Sequence, residues 1–145
     1  MTFSRVERSH KKDAPSVNWV LPLTAEQRQR SRQKLSMGNI ELGLTLPRGT
    51  VLQAGDWLMA ETGEWARIEA KPEPVLTAIA KSPMQLVKAA YFLGNRHVPV
   101  ELGAQYLRLK PDSVLENLLQ HLGLTIVNEV QPFSPEPGAY HSSHH

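Results

Sequence analysis

The sequence predicts an α+β protein in two parts, a small N-terminal β domain followed by a domain of order β-α-β-β-α-β. Three observations carry this. Between Ile40 and Ala70 apolar and polar residues alternate in short runs broken by glycine and proline, the period of half-buried strands. Lys71-Pro72-Glu73-Pro74 then stiffens the chain and biases the residue before each proline to extended forms, which marks a boundary. Beyond it, residues 83–95 and 112–123 repeat their apolar side chains at helical spacing.

Taken in order, residues 1–18 are polar and basic and read as a flexible leader. The first domain spans 19–72. Trp19, Val20 and Leu21 offer an edge contact, and Thr24-x-x-Gln27 has the spacing of a capping box, in which each side chain satisfies the other residue's backbone N–H. Arg28, Arg30, Arg32 and Lys34 recur two apart, which on a strand places them on one face as an exposed basic ribbon. The runs IELGLTL, VLQAGDWLMAE and EWARIEA follow, with turn signals at Pro47-Arg48-Gly49, Ala54-Gly55-Asp56 and Thr62-Gly63. Their core is expected from Ile40, Leu42, Leu44, Leu46, Leu52, Trp57, Leu58, Trp65 and Ile68.

The second domain spans 73–131. Strands are expected at 75–80, 98–102, 105–110 and 124–131, and helices at 83–95 and 112–123. Ser82-Pro83 is an N-cap with proline at the first helical position, and Leu86, Ala89, Ala90 and Leu93 share a face. The second helix opens on Asp112 and ends at Gly123, with Val114, Leu115, Leu118, Leu119 and Leu122 apolar. Two amphipathic helices on one face of a four-stranded sheet make the ferredoxin-like arrangement. Residues 132–145, PFSPEPGAYHSSHH, contain three prolines and no periodicity and read as a flexible tail.

Composition narrows the function. The absence of cysteine removes disulfides, thiolate metal sites and cysteine nucleophiles, and suits a reducing compartment. No run approaches the roughly 18 apolar residues of a membrane span, and the N-terminus lacks a signal-peptide core, so a cytoplasmic protein without membrane attachment is expected. Residues 1–34 carry eight Lys/Arg against three acids. That asymmetry opens the rival reading of a module binding nucleic acid or another anionic surface, against which stands the lack of aromatics interleaved in the ribbon. No Gly-x-Ser-x-Gly elbow, phosphate-binding glycine loop or His-Glu-x-x-His occurs, so an enzyme is not expected. Asp56, Glu61 and Glu101 read as ordinary surface acids.

Six histidines remain. His10 falls in the leader, and His121 lies near the end of the second helix, where its partial charge suits the dipole. His141, His144 and His145 place three imidazoles within five residues, a set able to converge on a divalent ion such as nickel, copper or zinc. His97 stands at a helix-to-strand switch. It is one ligand where a metal takes four to six, but a twofold axis would supply a pair.

The combination Arg28-x-x-x-Arg32, Leu46-Pro47-Arg48-Gly49-Thr50, Gly55-Asp56-Trp57-Leu58, Glu61, Ala89-Ala90-Tyr91, Leu93-Gly94-Asn95-Arg96-His97-Val98-Pro99 and Phe133-Ser134-Pro135-Glu136-Pro137-Gly138-Ala139-Tyr140 resembles the UreE family of urease accessory proteins, over about residues 19–145. The resemblance implies a cytoplasmic homodimer that binds Ni(II), and Zn(II) or Cu(II) in vitro, and hands nickel on for urease metallocentre assembly. It implies an N-terminal domain that engages partners, namely the urease accessory GTPase and through it the apo-urease activation complex. It makes His97 the interfacial nickel ligand, with His141, His144 and His145 as tail ligands. The chain departs from better-equipped members at Phe92, Lys110, Pro111 and Ser113, where some carry extra histidines, so auxiliary copper or zinc sites are not expected. The short tail implies few ions per dimer.

Overall fold

The computed structural model of the chain describes residues 1–7 and 19–140. The chain divides into two compact units between Lys71 and Pro72, where the proline-rich boundary was expected one residue later.

The first unit contains β1 (Thr2–Glu7), β2 (Trp19–Leu23), the short helix α1 (Ala25–Arg28), β3 (Arg32–Met37), β4 (Ile40–Thr45), β5 (Trp57–Ala60) and β6 (Trp65–Ala70). The strands form one sheet in the order β2-β6-β5-β1-β4-β3. Strand β1 corrects the reading of residues 1–18 as a flexible leader. It lies inside the sheet, parallel to β4 and antiparallel to β5, and Phe3 is 0% exposed. A register shift between Phe3 and Arg5 breaks its alternation, which hides the strand period in the sequence. The rest of the leader, residues 8–18 with His10, lies outside the described residues.

The capping box forms as expected: Gln27 N–H donates to Thr24 Oγ1 (3.2 Å) and Thr24 N–H to Gln27 Oε1 (2.9 Å). This local helix overrides the two-residue spacing of the basic residues and corrects the four-membered ribbon. Arg28 ends α1 and is 4% exposed, with its Nε donating to the Leu23 carbonyl. Arg30 pairs with Glu26 at 2.6 Å. Arg32 and Lys34 are left exposed on β3.

Leu42, Leu44, Leu46, Leu52, Leu58 and Ile68 are buried as expected, joined by Phe3, Leu21 and Leu23. Ile40 is exposed, and Trp57 and Trp65 are half-buried with rings edge-on at 6.1 Å. The expected run over 51–61 is strand only from Trp57, because the chain turns first. Asp56 closes that turn by accepting the Gln53 N–H at 2.8 Å and is buried, not the surface acid expected.

The second unit runs β7 (Pro72–Ile79), α2 (Pro83–Asn95), β8 (Glu101–Leu102), β9 (Tyr106–Leu109), α3 (Ser113–His121) and β10 (Thr125–Pro132). The element order is β-α-β-β-α-β, and the sheet order is β10-β7-β9-β8 with every neighbouring pair antiparallel. Ser82 caps α2 by accepting the Gln85 N–H, and Asp112 caps α3 by accepting from Val114 and Leu115, both at 2.9 Å. Ala89, Leu93 and Leu119 pack against Leu76, Ala78, Leu107 and Leu109 of the sheet. Val114, one of the apolar residues of the second helix, is 71% exposed, and the strand expected over 98–102 shortens to two residues.

The flexible tail expected from residue 132 is also corrected. Pro132 is paired in β10, Phe133 is buried, and a short 3-10 turn covers Pro137–Tyr140. Among the described residues no helix is long and apolar enough to cross a membrane.

The three tryptophans all belong to the first unit, so their fluorescence follows its unfolding alone. Phe3→Ala should remove about 3–5 kcal/mol from that unit and lower its urea midpoint. An unchanged midpoint would place Phe3 outside the core.

Candidate metal centre at the end of α2

Helix α2 ends at Asn95, as expected, with Arg96 as its C-cap. The His97 N–H donates to the Gly94 carbonyl (3.0 Å) and the Val98 N–H to the Leu93 carbonyl (3.1 Å), the paired bonds of a Schellman turn. That turn needs a left-handed residue after the cap, and His97 fills the position with φ 58°. Glycine is usual there because a Cβ costs roughly 1–2 kcal/mol in this conformation. Among the described residues His97 is the one non-glycine with positive φ. Leu93 and Val98 pack in the same core and close the turn from below.

A local cost is thus borne at a position that carries an imidazole. His97 is exposed, and among the described residues its ring makes no hydrogen bond or ion pair. The backbone is fixed while the ligating atoms stay open to solvent. The outer side of the same helix exposes apolar residues beside Lys88: Met84 is 61% exposed, Val87 60% and Tyr91 66%, at the i, i+3, i+7 spacing of one helical face. Phe92 stands edge-on to Tyr91 at 6.0 Å and offers no ligand.

His121 lies in the last turn of α3, its Nδ1 2.8 Å from the Asn117 carbonyl oxygen, as a helix-end histidine should. His141, His144 and His145 lie outside the described residues. Among the described residues no three His, Cys, Asp or Glu side chains come together as a metal site.

On the sheet face away from the helices lies a polar network that sequence reasoning missed. Arg108 donates from Nε to Thr77 Oγ1 (3.0 Å) and from Nη1 to Glu101 Oε2 (3.2 Å), and its Nη2 lies 3.8 Å from Glu129. Its guanidinium also stacks on the Tyr106 ring at 4.6 Å. The Glu129 carboxyl is held below the usual carboxylate range, chiefly by a hydrogen bond from Thr77, then by Gln131 and the Arg108 charge, against opposing desolvation. Glu101, expected as a surface acid, is 17% exposed and accepts the Ser134 N–H at 2.9 Å through its second oxygen. Arg108 lies 31 residues from Thr77 and 7 from Glu101, and Ser134 lies 33 from Glu101, so no local spacing could announce the network.

Comparison with known proteins follows the same division. The family model described as UreE urease accessory protein, N-terminal domain, matches residues 4–71, and that for the C-terminal domain matches residues 73–145. The chain is 53% identical over 131 residues to the urease accessory protein UreE of Nostoc sp. (strain PCC 7120), covering 89% of each. It is 50% identical over 149 residues to that of Microcystis aeruginosa, covering 99% of this chain and 94% of the relative. With that of Ralstonia nicotianae it shares 46% over 125 residues, 86% of this chain and 59% of the relative.

If the left-handed turn strains His97, His97→Gly should be more stable than His97→Ala by about 1 kcal/mol, seen as a higher midpoint in thermal unfolding followed by circular dichroism. Equal midpoints would remove the claim of strain.

Proposed function

We propose, since the chain belongs to the UreE family of urease accessory proteins, that it is a homodimeric nickel metallochaperone that binds Ni(II) between its subunits and passes it on for urease maturation. The observation that carries this reading is an exposed imidazole in a locked turn, at the end of a helix whose outer side exposes apolar residues. A twofold axis beside that end of α2 would cover Met84, Val87 and Tyr91 with a second copy and turn one His97 into a facing pair. The β-α-β-β-α-β order and the β10-β7-β9-β8 sheet support reading this unit as the ferredoxin-like, dimerising domain.

Nickel is cargo, so its site must hold and then release. Two facing imidazoles give capture, and an incomplete set leaves positions for His141, His144 and His145 and then for the recipient. Imidazole also suits copper and zinc, and raw affinity favours copper over nickel, so Zn(II) and Cu(II) bind in vitro and supply decides in the cell. Because ligating imidazole must be unprotonated, affinity falls as the pH drops. Nothing in the reaction requires bond making at carbon, and the relatives carry the name of accessory proteins, not of enzymes.

We assign partner contact to the first unit. Its edge strands β2 and β3 feed one core and flank a cavity of about 290 Å³ lined by Leu21, Leu23, Lys34, Leu35, Met37 and Lys71. Two open edges beside two lysines suit an extended acidic segment, which we attribute to the urease accessory GTPase within the apo-urease activation complex. A nucleic-acid role loses support because Arg28 is buried and Arg30 is paired. A cysteine-free chain suits the reducing cytoplasm.

Calorimetric titration with nickel tests the site: His97→Ala should lose most of the affinity, and unchanged affinity and stoichiometry would contradict the assignment. Val87→Asp puts a charge on the outer side of α2 and should shift light-scattering mass toward the monomer. A dimer that persists would move the interface elsewhere.

A further inference from the structure

Residues 98–100, the limb by which the chain leaves the His97 turn, precede the sheet pairing of β8, which begins at Glu101 opposite Arg108. Pro99 has no N–H to offer. What holds the limb comes from far along the chain. The segment after β10 brings two N–H groups to it: Glu136 donates to the Val100 carbonyl at 2.8 Å, and Ser134 to Glu101 Oε1 at 2.9 Å. These donors are two residues apart and so point the same way in an extended chain, while Pro132, Pro135 and Pro137 around them carry none.

The strap so formed has little slack. Pro132 belongs to β10, at one edge of the sheet, and Val100 adjoins β8, at the opposite edge. Three strand spacings take about 14 Å, and four extended residues reach about 14 Å. Phe133 is 1% exposed and pins the near end. At the far end Glu101 is itself held, because Arg108 reaches its other oxygen, Oε2, at 3.2 Å, and Thr77, Glu129 and the Tyr106 ring hold Arg108. Gly103 leaves room for that ring, since an added Cβ would collide with Tyr106. The Glu101 carboxylate therefore ties the strap to the middle strands of the sheet.

This anchorage bears on the metal site. Val100 is three residues from His97 and so within about 11 Å of it. Leu93 holds the turn on its helix side through the core, and the strap holds the limb on the other side. A ligand pair across a twofold axis is sensitive to both. Any shift of one turn is repeated in the copy and counts twice in the separation of the imidazoles, whereas metal–ligand distances tolerate only about 0.2 Å. We propose that Glu101, oriented by Arg108, is a positioning residue for nickel: by clamping the strap to the exit of the His97 turn, it sets where that turn stands relative to its copy. This rests on the reading of His97 as an interfacial nickel ligand, and it requires no contact between Glu101 and the ion.

The test is a cycle of four full-length proteins titrated with nickel chloride by calorimetry: wild type, Glu101→Ala, His97→Ala and the double variant. Glu101→Ala should weaken nickel binding roughly ten-fold, the low end for residues that support a ligand, at unchanged dimer mass by light scattering. Without metal it should speed amide exchange at His97 and Val98 as well as at Ser134 and Glu136. The double variant should bind no more weakly than His97→Ala, because Glu101 acts through that ligand alone. Ser134→Pro removes the N–H without touching the Glu101–Arg108 pair and should reproduce both effects, which guards against misfolding of Glu101→Ala. Wild-type affinity in Glu101→Ala and Ser134→Pro, turn amides that keep their wild-type exchange, a fall to monomer mass, or losses that add in the double variant would overturn this proposal and leave the His97 site standing. Nickel binding untouched by His97→Ala would overturn the site reading and this proposal with it.

Discussion

The site depends on one local constraint, the left-handed turn that closes α2. Two backbone bonds, from His97 to Gly94 and from Val98 to Leu93, force the chain to reverse within a single residue. Leu93 and Val98 anchor the turn in the core of the second unit, so its position is set by packing and not by the histidine. The backbone of His97 is then held while its imidazole faces solvent. Had the turn carried glycine, the fold would be served as well or better, and the side chain is what distinguishes this choice.

From that turn the chain enters β8, and the same stretch receives the strap that follows β10. Two parts of the second unit that are far apart in sequence thus meet within a few residues of His97. The polar network around Arg108 lies on the sheet face opposite the helices, as the register pairing Thr77 and Glu101 with Arg108 requires. Helix packing and tail anchoring therefore use opposite faces of one thin sheet, and a change on one face need not disturb the other. The exposed outer side of α2 adds a third surface.

Much of this was legible in the residues. Helix starts were, because Thr24, Ser82 and Asp112 satisfy N–H groups within their own turn and leave a local signature. So were Leu42 and Leu44 of β4, where the alternation survives, though Ile40 at the start of the strand is exposed. Strand β1 was not, since a bulge interrupts a six-residue strand whose partners lie some forty and more residues away. The basic ribbon failed because two-residue spacing is compatible with a strand but does not compel one, and a capped helix takes Arg28 first. At the site, His97 and the helix bounds 83–95 could be found from the residues, but not the left-handed turn that His97 itself occupies. The tail looked unstructured because prolines erase periodicity, although the same prolines leave the N–H groups of Ser134 and Glu136 to make the strap.

The central claim is that the first nickel ion taken up is ligated by His97 from both subunits. Imidazole correlation spectra of the full chain, recorded during nickel titration, test it most directly, because a paramagnetic ion broadens the rings that bind it. The account predicts that the His97 signals disappear within the first ion added per dimer, while those of His121 stay sharp. His97 signals that remain sharp after that ion is bound would contradict it.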